Sequence, residues 1–145
     1  MSQVQRFSAA ALLAFTRDAL ASCGVPTVDA EIAAKQMIEA DLTGFDAHGI
    51  FRLNAYITAL KSGRTNPTAN IRPIQRSAAT ALIDGDNGIG HLVMTYCADL
   101  AVELARQSGV GWVGARNSNH GGDLDRPYDP GRGRPATRAA CCGHH

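Results

Sequence analysis

The stretch TALIDGDNGIGHLVMTYCADLAVELARQSGVGWVGA at residues 80–115 decides the fold class. Its first residues are apolar and β-branched, which predicts a short strand at 80–84. A turn-rich loop at 84–90 then leads into a helical pattern from about Leu92 to Gln107. The apolar residues 110–115 predict a second, buried strand. This order of strand, loop, helix and strand favours an α/β arrangement.

Upstream of this stretch, the chain predicts helices. Residues 8–23 have an amphipathic pattern with Ser8 as the N-cap, and Gly24 stops it. Pro26 and Thr27 open a second helix, which is expected to pack on the first as a hairpin. Its buried stripe is expected to consist of Ile32, Met37, Ile38 and Leu42.

A third helix is expected to start near Asp46 and to stop at Gly63. Its inward-facing residues would be Ile50, Leu53, Ile57 and Leu60. Asn66-Pro67 breaks this pattern, and residues 71–75 then predict another short strand. The chain therefore changes from helical to mixed α/β at about this point.

Composition indicates one ordinary globular domain of 145 residues, 45% hydrophobic and 19% charged. Fourteen basic and thirteen acidic residues nearly cancel, so no overall charge favours nucleic acid or an anionic membrane. No apolar run approaches the roughly 20 residues that span a bilayer. The four cysteines do not have the spacing of a disulfide framework. We therefore expect a cytoplasmic protein.

His48 and Arg52 are the first candidate site residues, because helical phasing would place them one turn apart on the same face. A neutral imidazole accepts an alcohol proton near neutral pH, and a guanidinium holds a carboxylate through two parallel hydrogen bonds. The pair suits a small 2-hydroxy or 2-keto acid. By itself, this spacing favours a solvated helix face over a substrate site.

Other polar residues give weaker indications. The glycine loop at 84–90 matches neither GxGxxG nor the P-loop, so a tight strand-to-helix connection is favoured over a phosphate site. Asp84 and Asp86 are expected to cap the turn and the helix start, and no metal is assigned. His91 is interpreted as structural. His120 follows the last strand in a polar loop, where a functional imidazole would be well placed.

Four ordered blocks of sequence closely resemble the type-2 malate/L-lactate dehydrogenase family. They are residues 46–49 (DAHG) with Arg52, the run Tyr56, Leu60, Gly63 and Asn66-Pro67, residues 84–90 (DGDNGIG), and residues 117–120 (NSNH). Residues 7–40 also resemble the N-terminal segment of that family, which includes ureidoglycolate, sulfolactate and diketogulonate oxidoreductases.

The resemblance implies a cytoplasmic NAD- or NADP-dependent 2-hydroxyacid dehydrogenase, with a non-Rossmann fold and usually a homodimer. It implies that His48 and His120 are the acid/base candidates and that Arg52 contacts the substrate acid. Which histidine moves the proton is left open, as are the choice of hydroxy acid and the choice between NAD and NADP. No cofactor-binding residue is assigned.

The resemblance ends after His120. Family members continue with a Phe-Gly step and a long second half that carries most nucleotide-binding residues, whereas Gly121-Gly122-Asp123 follows here. We therefore interpret residues 1–120 as the N-terminal part of an incomplete dehydrogenase domain and residues 121–145 as an aberrant, disordered tail. A frameshift in a GC-rich reading frame is our hypothesis for the tail.

Two functional hypotheses follow from this interpretation. The first is a dehydrogenase segment that retains substrate-side residues, binds no nicotinamide alone and is inactive by itself. The alternative is a non-catalytic fragment that acts only as an interaction or dimerisation module.

Overall fold

The computed structural model of the chain describes residues 6–122. The tail predicted at 121–145 lies outside these residues, except for Gly121 and Gly122.

The first two helices form the predicted hairpin. Helix α1 spans Ala9–Ala21 and α2 spans Thr27–Leu42. The Ser8 hydroxyl accepts a hydrogen bond from the Ala11 amide at 3.1 Å, so the predicted N-cap is confirmed. Gly24, with a φ of +90°, lies just after α1. The predicted stripe of α2 was wrong at Leu42, which is exposed, because the inward face consists mainly of small residues together with Met37 and Ile38.

The third helix is shorter than the sequence predicted. Helix α3 spans Leu53–Lys61, and the chain before it forms two 3₁₀ turns at Asp46–His48 and Ile50–Arg52. Gly49 separates these turns with an extended backbone. Together α1, α2 and α3 enclose a first core, which also includes Ile89 and whose larger members are Leu20, Val25, Met37, Leu53, Tyr56 and Leu60.

Three strands form one mixed sheet in the order β1-β2-β3. They are β1 (Arg72–Arg76), β2 (Thr80–Gly88) and β3 (Trp112–Ser118); β1 pairs antiparallel and β3 pairs parallel with β2. The prediction of a loop at 84–90 was wrong for most of its length, because β2 continues to Gly88. The register shifts between Asp84 and Gly88, and Gly88 pairs with Ser118.

Helix α4 (Gly90–Ser108) connects the two parallel strands. Gly109 ends it with a left-handed φ of +80°, as the sequence predicted. One face of α4 packs on the sheet and forms a second core of Ala81, Ile83, Val93, Cys97, Leu100, Ala101, Leu104, Val113 and Ala115. The last strand is not buried throughout as predicted, because Trp112 alternates with buried Val113 and is 61% exposed.

The beginning of α4 joins the two cores. Ile89, immediately before α4, belongs to the first core, and Leu92 packs against it. Gln36 of α2 donates a hydrogen bond to the Thr95 hydroxyl at 2.6 Å. No helix within residues 6–122 has both the length and the apolar character needed to cross a membrane.

Candidate active site

The segment that carries His48 is held by a carboxylate from α2. The Asp41 Oδ2 atom accepts a hydrogen bond from the Ile50 amide at 2.9 Å. A Cβ atom added to Gly49 would clash with Asp41 Oδ1, so a larger residue would displace this carboxylate. The continuous helix predicted from Asp46 was therefore wrong, since this long-range contact and the extended Gly49 interrupt it.

Arg52 is exposed at the end of the second 3₁₀ turn. Its Nε–H donates to the Ala47 carbonyl at 3.1 Å, which is the only hydrogen bond of the Arg52 side chain to the part of the chain that the structure describes. This bond holds the guanidinium in place and leaves its two terminal nitrogens available to donate two parallel hydrogen bonds to an anion.

His120 lies just beyond β3 and faces the helical layer. Its ring stacks on that of His48, with centroids 5.4 Å apart and planes inclined by 18°. Its Nδ1 atom lies 2.9 Å from the Tyr56 hydroxyl and 3.2 Å from the Gly122 amide nitrogen. Partial burial, the charge of Arg52 and then His48 lower the pKa of His120, so its neutral form is favoured.

Tyr56 forms the inner wall of this cluster. Burial raises its pKa to about 12, opposed by the positive charge of Arg52. It therefore remains a protonated hydrogen-bond donor at neutral pH. The structure thus brings together all three site residues predicted from the sequence, His48, Arg52 and His120, and adds Tyr56.

The loop that carries His120 is anchored to the irregular end of β2. The Asn119 side-chain amide donates to the carbonyls of Asn87 and Gly88 at 2.9 and 3.0 Å. Asp86, Asn87 and Asn117 have positive φ values of 49°, 55° and 52°. Such conformations are uncommon outside glycine, and Asn and Asp adopt them most readily. This anchoring fixes where His120 emerges from the sheet.

Asp84 belongs to the same network. Its carboxylate accepts from the Asp86 amide at 3.0 Å and the Asn117 side chain at 3.1 Å, and Arg116 lies at 3.4 Å. Asp84 caps the turn as predicted, through the Asp86 amide. The predicted cap of the helix start was wrong, because Ile89 occupies the N-cap position and Asp86 accepts from Asn66 and Asn70 instead. No metal-binding group of three His, Cys, Asp or Glu side chains occurs within residues 6–122.

Replacing Asp84 by Asn should make stability less dependent on pH. The Asp86 amide first, and the Asn117 side chain second, lower the pKa of Asp84 in the folded chain. A lowered folded pKa stabilises the fold above the unfolded value of about 3.9, and this stabilisation is lost as the pH falls through the folded pKa.

The free energy of unfolding in urea, measured for the unaltered chain and for Asp84→Asn between pH 7 and pH 2.5, would test this expectation. The unaltered chain should be the more stable at pH 7, and the difference should narrow below about pH 4. A constant difference across that range would contradict it. Asp99→Asn, in an exposed position of α4, is the matched control.

Sequence reasoning missed three contributors to the site. Tyr56 entered only as part of the family resemblance, although its position four residues after Arg52 could have indicated a shared helical face. His91 is buried and packs edge-on against Tyr56, with ring centroids 5.4 Å apart. Asp41 gave no local signal, because its role depends on a contact formed only in the folded chain.

The arrangement combines two stacked imidazoles, the exposed guanidinium of Arg52 and a buried tyrosine hydroxyl. Imidazoles exchange protons near neutral pH, and a guanidinium fork binds carboxylate. Such groups can bind a small carboxylic acid and exchange a proton with a nearby oxygen or nitrogen.

Comparison with known proteins identifies the family. The malate/L-lactate dehydrogenase family model matches residues 7–126. The chain therefore belongs to the malate/L-lactate dehydrogenase family.

Three relatives illustrate the similarity. The L-sulfolactate dehydrogenase of Methanocaldococcus jannaschii is 49% identical over 105 residues, which are 72% of this chain and 30% of that protein. The malate dehydrogenase structure from Pyrococcus horikoshii has a TM-score of 0.81 at 38% identity, covering 86% of this chain and 37% of that one. A Δ1-piperideine-2-carboxylate reductase structure from Pseudomonas syringae has a TM-score of 0.75 at 27% identity, covering 83% and 36%. The chain thus spans about a third of the length of such relatives.

Proposed function

We propose that this chain is the proton-transfer and carboxylate-binding part of a nicotinamide-dependent dehydrogenase that interconverts a small 2-hydroxy acid and its 2-keto acid. The observation that carries this proposal is the convergence of His48, Arg52 and His120 from two layers of the fold. The His48 and His120 rings stack at 5.4 Å, and the charge of Arg52 acts on His120.

The chemistry of the relatives supports a carboxylate substrate. Malate, sulfolactate and piperideine-2-carboxylate all have a carboxylate beside the carbon that bears the reacting oxygen or nitrogen. A substrate held by the terminal nitrogens of Arg52 would place that neighbouring atom close to the imidazoles. We propose a 2-hydroxy or 2-keto acid as the substrate class.

The donor set fits the substrate side of a hydride transfer. Two imidazoles and a guanidinium supply a proton and a carboxylate contact, but none of them supplies a hydride. Bound NAD or NADP would supply or accept that hydride. In the proposed reaction, Arg52 orients the acid and the histidines stabilise and protonate the oxygen that develops charge.

A chimera would test this proposal directly. Residues 7–122 of this chain would replace the equivalent segment of the Pyrococcus horikoshii malate dehydrogenase, whose structure superposes with a TM-score of 0.81. We expect NADH or NADPH oxidation with oxaloacetate by the chimera and none by the 145-residue chain alone. A folded chimera that binds nicotinamide but reduces no 2-keto acid would contradict the proposal.

Arg52→Lys in the chimera should weaken transition-state binding by about 1.5 to 3 kcal/mol, the scale of a charged hydrogen bond. Lysine keeps the charge, but it lacks the planar fork and the Nε–H that reaches the Ala47 carbonyl. The measurement is kcat/KM for the keto acid and for a neutral ketone. The value for the neutral ketone should hardly change, because it has no carboxylate for Arg52 to hold.

Arg64→Lys is the matched control, because Arg64 is exposed and its Nε–H also makes a local bond, to the Ser62 hydroxyl at 3.1 Å. Equal losses in both variants would show that Arg52 does not hold the carboxylate.

Exposed apolar residues favour the second candidate function, an interaction or dimerisation module. Phe51 is 80% exposed between Arg52 and Ile50, and Trp112 is exposed on the edge strand β3. Exposed apolar groups and an open strand edge both promote association. We propose that the dehydrogenase containing this segment is a homodimer.

The 145-residue chain should consequently associate as its concentration rises. Sedimentation velocity should show a concentration-dependent increase in mass, and Trp112→Lys should reduce it more than Lys61→Arg, a change on α3. A monomer at every concentration would contradict this expectation. Turnover of a 2-keto acid by the chimera separates the two functions, because a module that only associates should give none.

A further inference from the structure

The Gly122 amide determines the protonation of His120. A backbone N–H only donates, and the Gly122 nitrogen lies 3.2 Å from His120 Nδ1. Nδ1 must therefore be the accepting nitrogen. A neutral imidazole has one donor and one acceptor nitrogen, so the proton of neutral His120 is on Nε2.

The Tyr56 hydroxyl also favours an unprotonated Nδ1 on His120. Its hydroxyl lies 2.9 Å from His120 Nδ1 and 3.5 Å from the His120 carbonyl oxygen, and both of these atoms accept. A buried phenol hydroxyl requires such a partner. Its shorter contact is with Nδ1, where it reinforces the bond from Gly122.

Gly122 is held where its amide can make this contact. Its φ is +75°, and a Cβ added to it would lie 2.6 Å from the His91 Nε2 atom. His91 in turn packs edge-on against Tyr56. Three elements of the fold, the start of α4, helix α3 and the end of the sheet, therefore surround the Nδ1 side of His120.

We propose that Tyr56 is a positioning residue which, with the Gly122 amide, locks His120 as the neutral Nε2–H tautomer, so that His48 exchanges the substrate proton. The inference rests on the proposed function for its chemistry. In this form Nε2 of His120 carries a hydrogen and has no lone pair that could accept a proton. It hydrogen-bonds the reacting oxygen, but it takes no proton from a hydroxyl.

The proton balance then assigns His48 its role. During reduction, the carbon of the keto group takes the hydride, and the π electrons of its C=O bond move onto the oxygen. The oxygen takes a proton from the imidazolium of His48, which becomes neutral, while the Nε2–H of His120 stabilises the developing charge. In the reverse direction, His48 takes the hydroxyl proton back.

The groups that face His120 agree with this assignment. They are Arg52 and His48 from the 3₁₀ turns, Tyr56 from α3, and the Gly122 amide beside His91. Arg52 opposes a charge on His120, and the two donors at Nδ1 leave no acceptor for a second ring proton. A neutral imidazole is therefore the form that this environment stabilises.

The test is nitrogen-15 NMR of the histidine rings in the 145-residue chain. We expect neutral His120 to show an unprotonated Nδ1 and a protonated Nε2. A neutral form with its proton on Nδ1 would overturn the inference, and this result needs neither substrate nor any variant.

Tyr56→Phe, with Tyr96→Phe as the control at an exposed tyrosine of α4, tests the role of Tyr56. Loss of the hydroxyl leaves only the longer contact from the Gly122 amide at Nδ1, so the Nδ1–H tautomer should gain population and the pKa of His120 should rise by roughly 0.5 to 1 unit, the scale of one hydrogen bond. An unchanged tautomer and pKa in folded Tyr56→Phe would show that Tyr56 does not position His120. If that variant does not fold, the tautomer of the unaltered chain decides the question.

Oxamate, an unreactive analogue of a 2-keto acid, separates this inference from the proposed function. Its binding should shift the His120 Nε2–H resonance. No response to oxamate would count against the proposed function, whereas a proton on Nδ1 would overturn the tautomer even if oxamate binds.

Discussion

His48→Ala in the chimera should lower turnover by about a hundredfold to ten-thousandfold, the usual contribution of a general acid/base. In the oxidation of malate, it should also remove the low-pH limb of the rate profile, because no base remains to be protonated. Its ring stacks on that of His120, with centroids 5.4 Å apart.

His120→Ala is the comparison that gives this result its meaning. It should also lower turnover, because a donor to the developing charge is lost, but the low-pH limb should persist. The measurement is kcat against pH for both variants. Persistence of the limb in His48→Ala, together with its loss in His120→Ala, would reverse the two roles.

Gly90→Ala should destabilise the chain by about 3 kcal/mol, the upper range for overpacking, and should displace His120. A Cβ at this position would lie 2.2 Å from the carbonyl oxygens of both Asn119 and His120. These are backbone atoms, so no side-chain rotation relieves the clash. Urea unfolding of the 145-residue chain and the His120 NMR signals would measure both effects.

Gly114→Ala is the matched control, because its Cβ would meet only the Leu82 side chain, at an ordinary 3.8 Å. Its stability should change by less than about 1 kcal/mol. Similar stabilities of the two variants would show that the His120 loop is not packed against the start of α4.

Local signals explain which parts of the fold the sequence predicted. Ser8 capped α1 and Gly109 ended α4 as expected, because capping and left-handed glycines act within a few residues. The segment around Gly49 and the loop at 84–90 were predicted wrongly. Their conformations depend on the Asp41 carboxylate and on pairing of Gly88 with Ser118, which are distant in sequence.

The same difference between local and long-range signals applies to the site. Spacing, loop position and the family resemblance indicated His48, Arg52 and His120, and the fold brings them together, although their roles remain predictions. The tautomer of His120 could not be predicted, because it depends on a tyrosine 64 residues away and on one backbone amide.

The two hydrophobic cores have a consequence for cooperativity. His48 and Tyr56 belong to the helical layer, whereas His120 follows the sheet, so the cluster exists only while both layers are docked. Partial opening between the layers would remove the site before either core melted, and amide hydrogen exchange would detect it there first. An acid that contacts both Arg52 and His120 would bind only while the two layers are docked. It would therefore stabilise the docked form by mass action, and the two layers would unfold together.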